Sequence, residues 1–130
     1  MIPSCADNGI GQVVWSPLAQ GILTGKYKPG EEAPPDTRAS SKDMGGFIGR
    51  WMRPELLEAV QRLRPVAAEA GLSMAQLALA WVLREPGVSS AIIGASRPAQ
   101  VTDNAAVSGV QLSSDVLAGI EETLAEVLTI

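Results

Sequence analysis

The sequence contains no histidine, one cysteine, one tyrosine and one phenylalanine in 130 residues. Without histidine it lacks the side chain most used for proton transfer near neutral pH and the commonest metal ligand. The lone Cys5 has no internal disulfide partner, and no Cys/His cluster stands at zinc spacing. A stapled secreted scaffold and a metal site are therefore excluded, and a reducing cytoplasm is the expected compartment. Basic residues are few: 10 Lys and Arg against 14 Asp and Glu give a net charge of -4, which argues against nucleic acid or a polybasic membrane patch. The stretch MIPSCADNGIG has neither a basic n-region nor an apolar h-region. No window reaches the roughly 18 apolar residues of a membrane span, so membrane insertion is not expected. What is present is 46% hydrophobic residues, enough for one modest domain core. A small ligand or a protein is the expected partner.

Local patterns divide the chain. A short helix over residues 3–8 stops at Asn8-Gly9, and Gln12-Val13-Val14-Trp15 is a compact strand ended by Ser16-Pro17. Residues 26–49 are rich in glycine, proline and polar groups with no apolar period, which predicts a long loop of the kind that forms a lid or binding segment. A helix starts at Pro54, carries Leu56, Leu57, Val60, Leu63, Val66 and Ala67 at helical spacing, and stops at Gly71. Ser73 caps the next helix with Gln76 as capping-box partner. Its residues Met74, Leu77, Ala78, Ala80, Trp81 and Leu83 are apolar nearly all round until Glu85-Pro86-Gly87 breaks it. Ser90-Ala91-Ile92-Ile93 is a second strand, closed by Gly94-Ala95-Ser96 before a helix from Arg97 or Pro98 to Ala106. The last helix is capped by Ser113 or Ser114 and bears Val116, Leu117, Ile120, Leu124 and Val127 on one face, with acids early in its run.

Two buried strands, each ending in a small-residue turn and joined by a helical crossover, imply a parallel βαβ arrangement with both turns on one face. In GASRPAQVTDN, Gly94 permits close backbone approach, Ser96 caps the helix or donates to a phosphate, and Arg97 brings a cation to the helix N-terminus. Gln100 and Asn104, four apart, share a face. The plain alternative makes Ser96 a cap and the rest surface polars. In the first turn, Ser16 and Gln20 face a ligand while Pro17 and Gly21 shape the backbone, and Lys26 neutralises a phosphate; the alternative is a strand-ending turn with a surface lysine. Trp15 reads as a core residue more readily than a stacking platform, and Asp36, Arg38 and Lys42 as solvated loop charges.

Taken together, VVWSPLAQGILTGKY, APPDTRAS, LSMAQLALAWVLREPGVSSAIIGAS and RPAQVTDNAA resemble the C-terminal part of an aldo-keto reductase. The branch is the one that includes bacterial aldo-keto reductases and voltage-gated potassium channel β subunits. The pieces run in family order over nearly the whole chain. The resemblance implies an α/β fold: part of a (β/α)8 TIM barrel, with strands seven and eight, their helices and a long cofactor loop, as a single incomplete domain over residues 1–130. It implies NADPH as cofactor and hydride transfer to a carbonyl as the family's chemistry. Carried over residue by residue, Trp15, Ser16, Pro17, Leu18, Ala19 and Gln20 match the strand-seven segment that lines the cofactor. Lys26 and Arg38 match basic positions of the loop over the pyrophosphate. Gly94, Ser96, Gln100, Asp103 and Asn104 match the positions that hold the adenosine 2′-phosphate, ribose and adenine, and Arg97 fits the same phosphate. Asp36 stands where some relatives have tyrosine, and that contact is not carried over.

A complete barrel of this type takes about 250 residues or more. The family's catalytic aspartate, tyrosine, lysine and histidine would lie ahead of this chain, so no catalytic residue is assigned. The chain is then an oxidoreductase portion by family, expected to be inactive alone: a truncation, a misplaced start or a decayed gene. The rival expectations are an NADPH-binding, channel-β-like regulatory module without turnover and a remnant without function. The uncovered strand edges imply self-association or a partner supplying the missing N-terminal barrel half.

Overall fold

Strand β1 (Gln12–Trp15) and strand β2 (Val88–Ile92) pair in parallel, the arrangement that the crossover between them requires. The structure is a computed structural model and describes residues 2–41 and 45–127. The register sets Gln12 against Val88, then slips at a bulge to place Val13 opposite Ser90, Val14 opposite Ala91 and Trp15 opposite Ile92. Strand periodicity therefore divides the sheet into two faces. Val14 and Ala91 turn toward the helices, whereas Val13, Ser90, Trp15 and Ile92 share the other face and are all exposed. Trp15 is 76% exposed, which corrects its expected place in the core. The cause is alternation: Trp15 lies on the sheet face away from the helices, and no described element covers that face.

Seven α-helices are described: α1 (Ile2–Asp7), α2 (Gly45–Ile48), α3 (Pro54–Arg62), α4 (Arg64–Glu69), α5 (Met74–Leu83), α6 (Pro98–Ala105) and α7 (Ser114–Leu124). Helix α5 begins with the predicted capping box, in which the Ser73 hydroxyl accepts from the Gln76 N–H at 3.2 Å and Gln76 Oε1 accepts from the Ser73 N–H at 3.0 Å. Its Leu79 and Ala80 pack with Val107, Leu18, Ala91 and Ile93, covering the inner face of the sheet. Helix α7 is capped by Ser113, whose hydroxyl accepts from the Val116 N–H at 3.3 Å. The larger core joins α3, α4, α5 and α7 to the first loop through Leu57, Val60, Met74, Leu77, Val116 and Ile120, with Ile22 and Tyr27 fully enclosed.

Two expectations change. The helix predicted from Pro54 to Gly71 is two helices with a break at Leu63. Pro65 explains the break, because it has no N–H to offer the Gln61 carbonyl and its ring collides with that same carbonyl. The long loop also ends earlier than its composition suggests: α2 and a turn of 3₁₀-helix, Gly49–Trp51, close it, and Ile48 is buried. A single apolar contact of this kind anchors a short helix without leaving a periodic signal. Lys42 lies outside the described residues. Among the described residues no single helix is long and apolar enough to cross a membrane. One pair, Pro54–Glu69 with Met74–Leu83, passes that test together but is bent by 83°.

Candidate functional site

The turn after β1 is built from left-handed backbone. Ser16, Ala19 and Gln20 have φ of 55, 47 and 61°, and Gly21 has φ of 100°. Each non-glycine residue in this region costs roughly 1–2 kcal/mol against ordinary conformations, and such clusters occur where a loop shape is needed for a site. Hydrogen bonds hold the shape. The Ala19 N–H reaches the Ser16 carbonyl at 2.9 Å, and the Gln20 amide donates to the Ser16 hydroxyl at 2.9 Å. The other end of the same amide accepts from the Arg38 guanidinium, which ties the long loop to the turn.

The turn after β2 is organised from the helix that follows it. Gln100 Oε1 accepts from both the Ser96 N–H (2.8 Å) and the Ser96 hydroxyl (3.1 Å). The N-cap of α6 is Arg97, with no side-chain cap, and Pro98 opens the helix. Ser96 thus stands one residue ahead of the cap and does not cap the helix itself; Gln100 reaches back to it in the manner of a capping box displaced by one position. Gln100 and Asn104 share a helix face as their spacing predicts. The backbone carbonyl of Asp103 accepts from the Gln76 amide at 3.1 Å, docking α6 on α5.

Between the two turns and the long loop lies a groove of about 570 Å³. Ten of the fourteen residues singled out in the sequence line it: Trp15, Ser16, Pro17, Leu18, Gln20, Lys26, Arg38, Gly94, Ser96 and Gln100. Ala19 faces an adjoining apolar cavity of about 500 Å³, which shares Trp15, Ser16 and Pro17 with the groove, and Arg97, Asp103 and Asn104 continue along α6 beyond the lining. The groove also recruits Thr24, Thr37 and Asp36, together with Ile92, Ile93 and Ala95, which the sequence reading did not assign to a site. Thr37 sits beside Arg38 in APPDTRAS, so its hydroxyl was the one legible signal among them. Lys26 and Arg38 set two cations against the single carboxylate of Asp36.

The polar groups lining it are two cations, four hydroxyls (Ser16, Thr24, Thr37 and Ser96) and two amides, beside an exposed indole; the Thr24, Thr37 and Ser96 hydroxyls already donate to the Gly21 carbonyl, the Pro34 carbonyl and Gln100 Oε1, which leaves Ser16 as the hydroxyl with a proton to offer. This set recognises an anion carrying aromatic or apolar parts. The groove's titratable side chains are Lys26, Asp36 and Arg38. Tyr27 is 1% exposed within the core and does not line the groove. Among the described residues no three His, Cys, Asp or Glu side chains come together to hold a metal ion.

The family model for the Aldo/keto reductase family matches residues 1–125. The chain belongs to this family. Among curated relatives it is 42% identical over 103 residues to a protein of Arabidopsis thaliana named as a probable voltage-gated potassium channel subunit beta, covering 79% of this chain and 31% of that protein. It is 35% identical over 129 residues to the L-glyceraldehyde 3-phosphate reductase of Escherichia coli K12, covering 97% of this chain and 37% of the relative. The chain thus spans about a third of the length of these relatives. Among solved structures, the glycerol dehydrogenase of Gluconobacter oxydans superposes with a TM-score of 0.77 over 100% of this chain and 38% of that one, at 24% identity. That likeness supports the α/β fold. Members of the family generally use a nicotinamide cofactor, and its reductases are oxidoreductases.

Proposed function

We propose that this chain forms the NADPH-binding wall of an aldo/keto reductase barrel, with β1 and β2 as the barrel's strands seven and eight. The observation that carries the reading is the convergence of ten expected cofactor positions, drawn from three separated segments, on one groove. The polar set fits an anionic dinucleotide: Lys26 and Arg38 meet phosphate charge, the Ser16 hydroxyl and the Gln20 and Gln100 amides donate to its oxygens, and Trp15 with Ile92 offers a flat apolar surface. Gly94 fits as well. A Cβ there would meet nothing of the chain within 4 Å, so packing within the protein does not account for the glycine, whereas a ligand lying against its backbone does. Arg97, Asp103 and Asn104 extend the same wall along α6, and the cation at Arg97, expected at the 2′-phosphate, favours NADPH over NADH.

When bound, NADPH supplies a hydride. The chain's own residues hold and orient the cofactor: the left-handed turn presents Ser16 and Gln20, Arg38 draws the long loop against Gln20, and Gln100 fixes the Ser96 hydroxyl and N–H. Neither tyrosine nor histidine lines the groove, so the isolated chain is read as binding without turnover. The rest of the barrel, or a second copy, then covers the exposed sheet face.

Lys26→Ala and Arg38→Ala test this directly. Both side chains are exposed, so each substitution is expected to weaken NADPH binding about fivefold at low ionic strength and by less as salt rises. Fluorescence titration reads the effect, and unchanged affinity in both variants would sink the assignment. A second reading, a nicotinamide-binding module of the channel-β kind, draws support from the 42% and 41% identities to relatives named as probable channel β subunits. Assembly of this chain with the remaining segments of such a barrel separates the two: carbonyl-dependent oxidation of NADPH supports the reductase, and tight binding without oxidation supports the module.

A further inference from the structure

Lys26 is an exposed lysine, and a free lysine would sample many rotamers before meeting an anion. Its backbone is held on both sides. The Gly25 carbonyl accepts from Gln61 Nε2 at 2.9 Å and from Arg64 Nη2 at 2.8 Å, and the Tyr27 carbonyl accepts from the same Gln61 Nε2 at 2.9 Å. Arg64 Nε donates to Gln61 Oε1 at 2.7 Å, which turns the Gln61 amide so that its NH₂ group faces the two carbonyls. These donors flank the break that Pro65 puts between α3 and α4, and neither residue lines the groove. The side chain of Lys26 is confined as well. Its ammonium lies 5.2 Å from the centroid of the buried Tyr27 ring, and a Cβ on Gly21 would come within 3.2 Å of its Cε and 3.3 Å of its Nζ. Lys26 therefore runs between an aromatic face and a bare glycine, from a peptide segment clamped at both ends.

We propose that Gln61 and Arg64 are positioning residues for Lys26, holding residues 25–27 so that its ammonium is presented to the phosphate of the nucleotide. The proposal rests on the NADPH reading of the groove. The clamp acts through the backbone, from residues 34 to 39 positions away in sequence, and touches no ligand.

The first test needs no cofactor. Proton NMR of the chain should show the Lys26 ε-methylene resonances shifted upfield by the Tyr27 ring. Gln61→Leu should return them to the position of an unconstrained lysine, while α7 amide resonances stay in place. Arg64 is exposed, so Arg64→Met provides a second variant that keeps the core intact and should move the same resonances part of the way. Unmoved Lys26 resonances in a folded variant would overturn the proposal. The second test is a double-mutant cycle on NADPH affinity with Lys26→Ala, Gln61→Leu and the pair. Gln61→Leu should weaken binding about threefold when Lys26 is present and leave it unchanged when residue 26 is alanine. Additive losses would contradict positioning through Lys26. Absence of NADPH binding in every protein, the unsubstituted chain included, would count against the function proposed above, and the Lys26 resonances would still decide the role of the clamp.

Discussion

Tyr27 shows how one residue can be anchored for its ring and not for its hydroxyl. The ring is 1% exposed in the larger core, while the buried Oη has no hydrogen-bond partner among the described residues. Burying a hydroxyl without a partner costs free energy that a phenyl ring would not incur. Tyr27→Phe is therefore expected to leave thermal stability unchanged or raise it. Tyr27→Ala is expected to cost about 3–5 kcal/mol through the cavity it leaves. Thermal unfolding of the two variants checks both, and a marked loss in Tyr27→Phe would mean that the hydroxyl is satisfied after all. Gln20 is the opposite case. Its two amide ends join Ser16 to Arg38, so a polar side chain on a strained turn couples two segments of the groove.

At the scale of elements, the sheet carries the clearest consequence. A two-stranded parallel sheet with both outer edges unpaired among the described residues is marginal alone, and its face away from the helices bears Val13 at 62%, Ile92 at 61% and Trp15 at 76% exposure. The isolated chain is expected to associate through this face, with sedimentation coefficients that rise with concentration. Val13→Lys should reduce that rise, because it places a charge in the middle of the face. A monodisperse monomer at all concentrations would contradict the expectation. The same elements show what was legible. The four residues of β1, the capping box of α5 and the Ser113 cap of α7 depend on neighbours a few positions away, and such signals survive in a single sequence. The exposure of Trp15 was not legible, since composition marks an aromatic strand residue as apolar without saying which sheet face is covered. Pro65 was legible in principle, but the apolar spacing that runs through it from Leu56 to Ala67 masked the break. The groove positions came through the family resemblance. The bonds joining Gln61 and Arg64 to the Gly25 and Tyr27 carbonyls span too many residues to leave a local pattern.

At the scale of the molecule, the proposed reading makes the chain one wall of a larger barrel. Its groove gathers residues from the turn after β1, the long loop and the turn after β2, while the sheet face bearing Val13, Trp15 and Ile92 is exposed. On the proposed reading, this wall binds NADPH by itself. The most direct measurement is a heteronuclear NMR titration of the nitrogen-15-labelled chain with NADPH. Saturable shift changes at residues 16–21, 26, 38 and 94–100, with α7 unperturbed, are the predicted result. A well-dispersed spectrum that NADPH leaves unchanged, or changes confined to α3 and α7, would contradict the account.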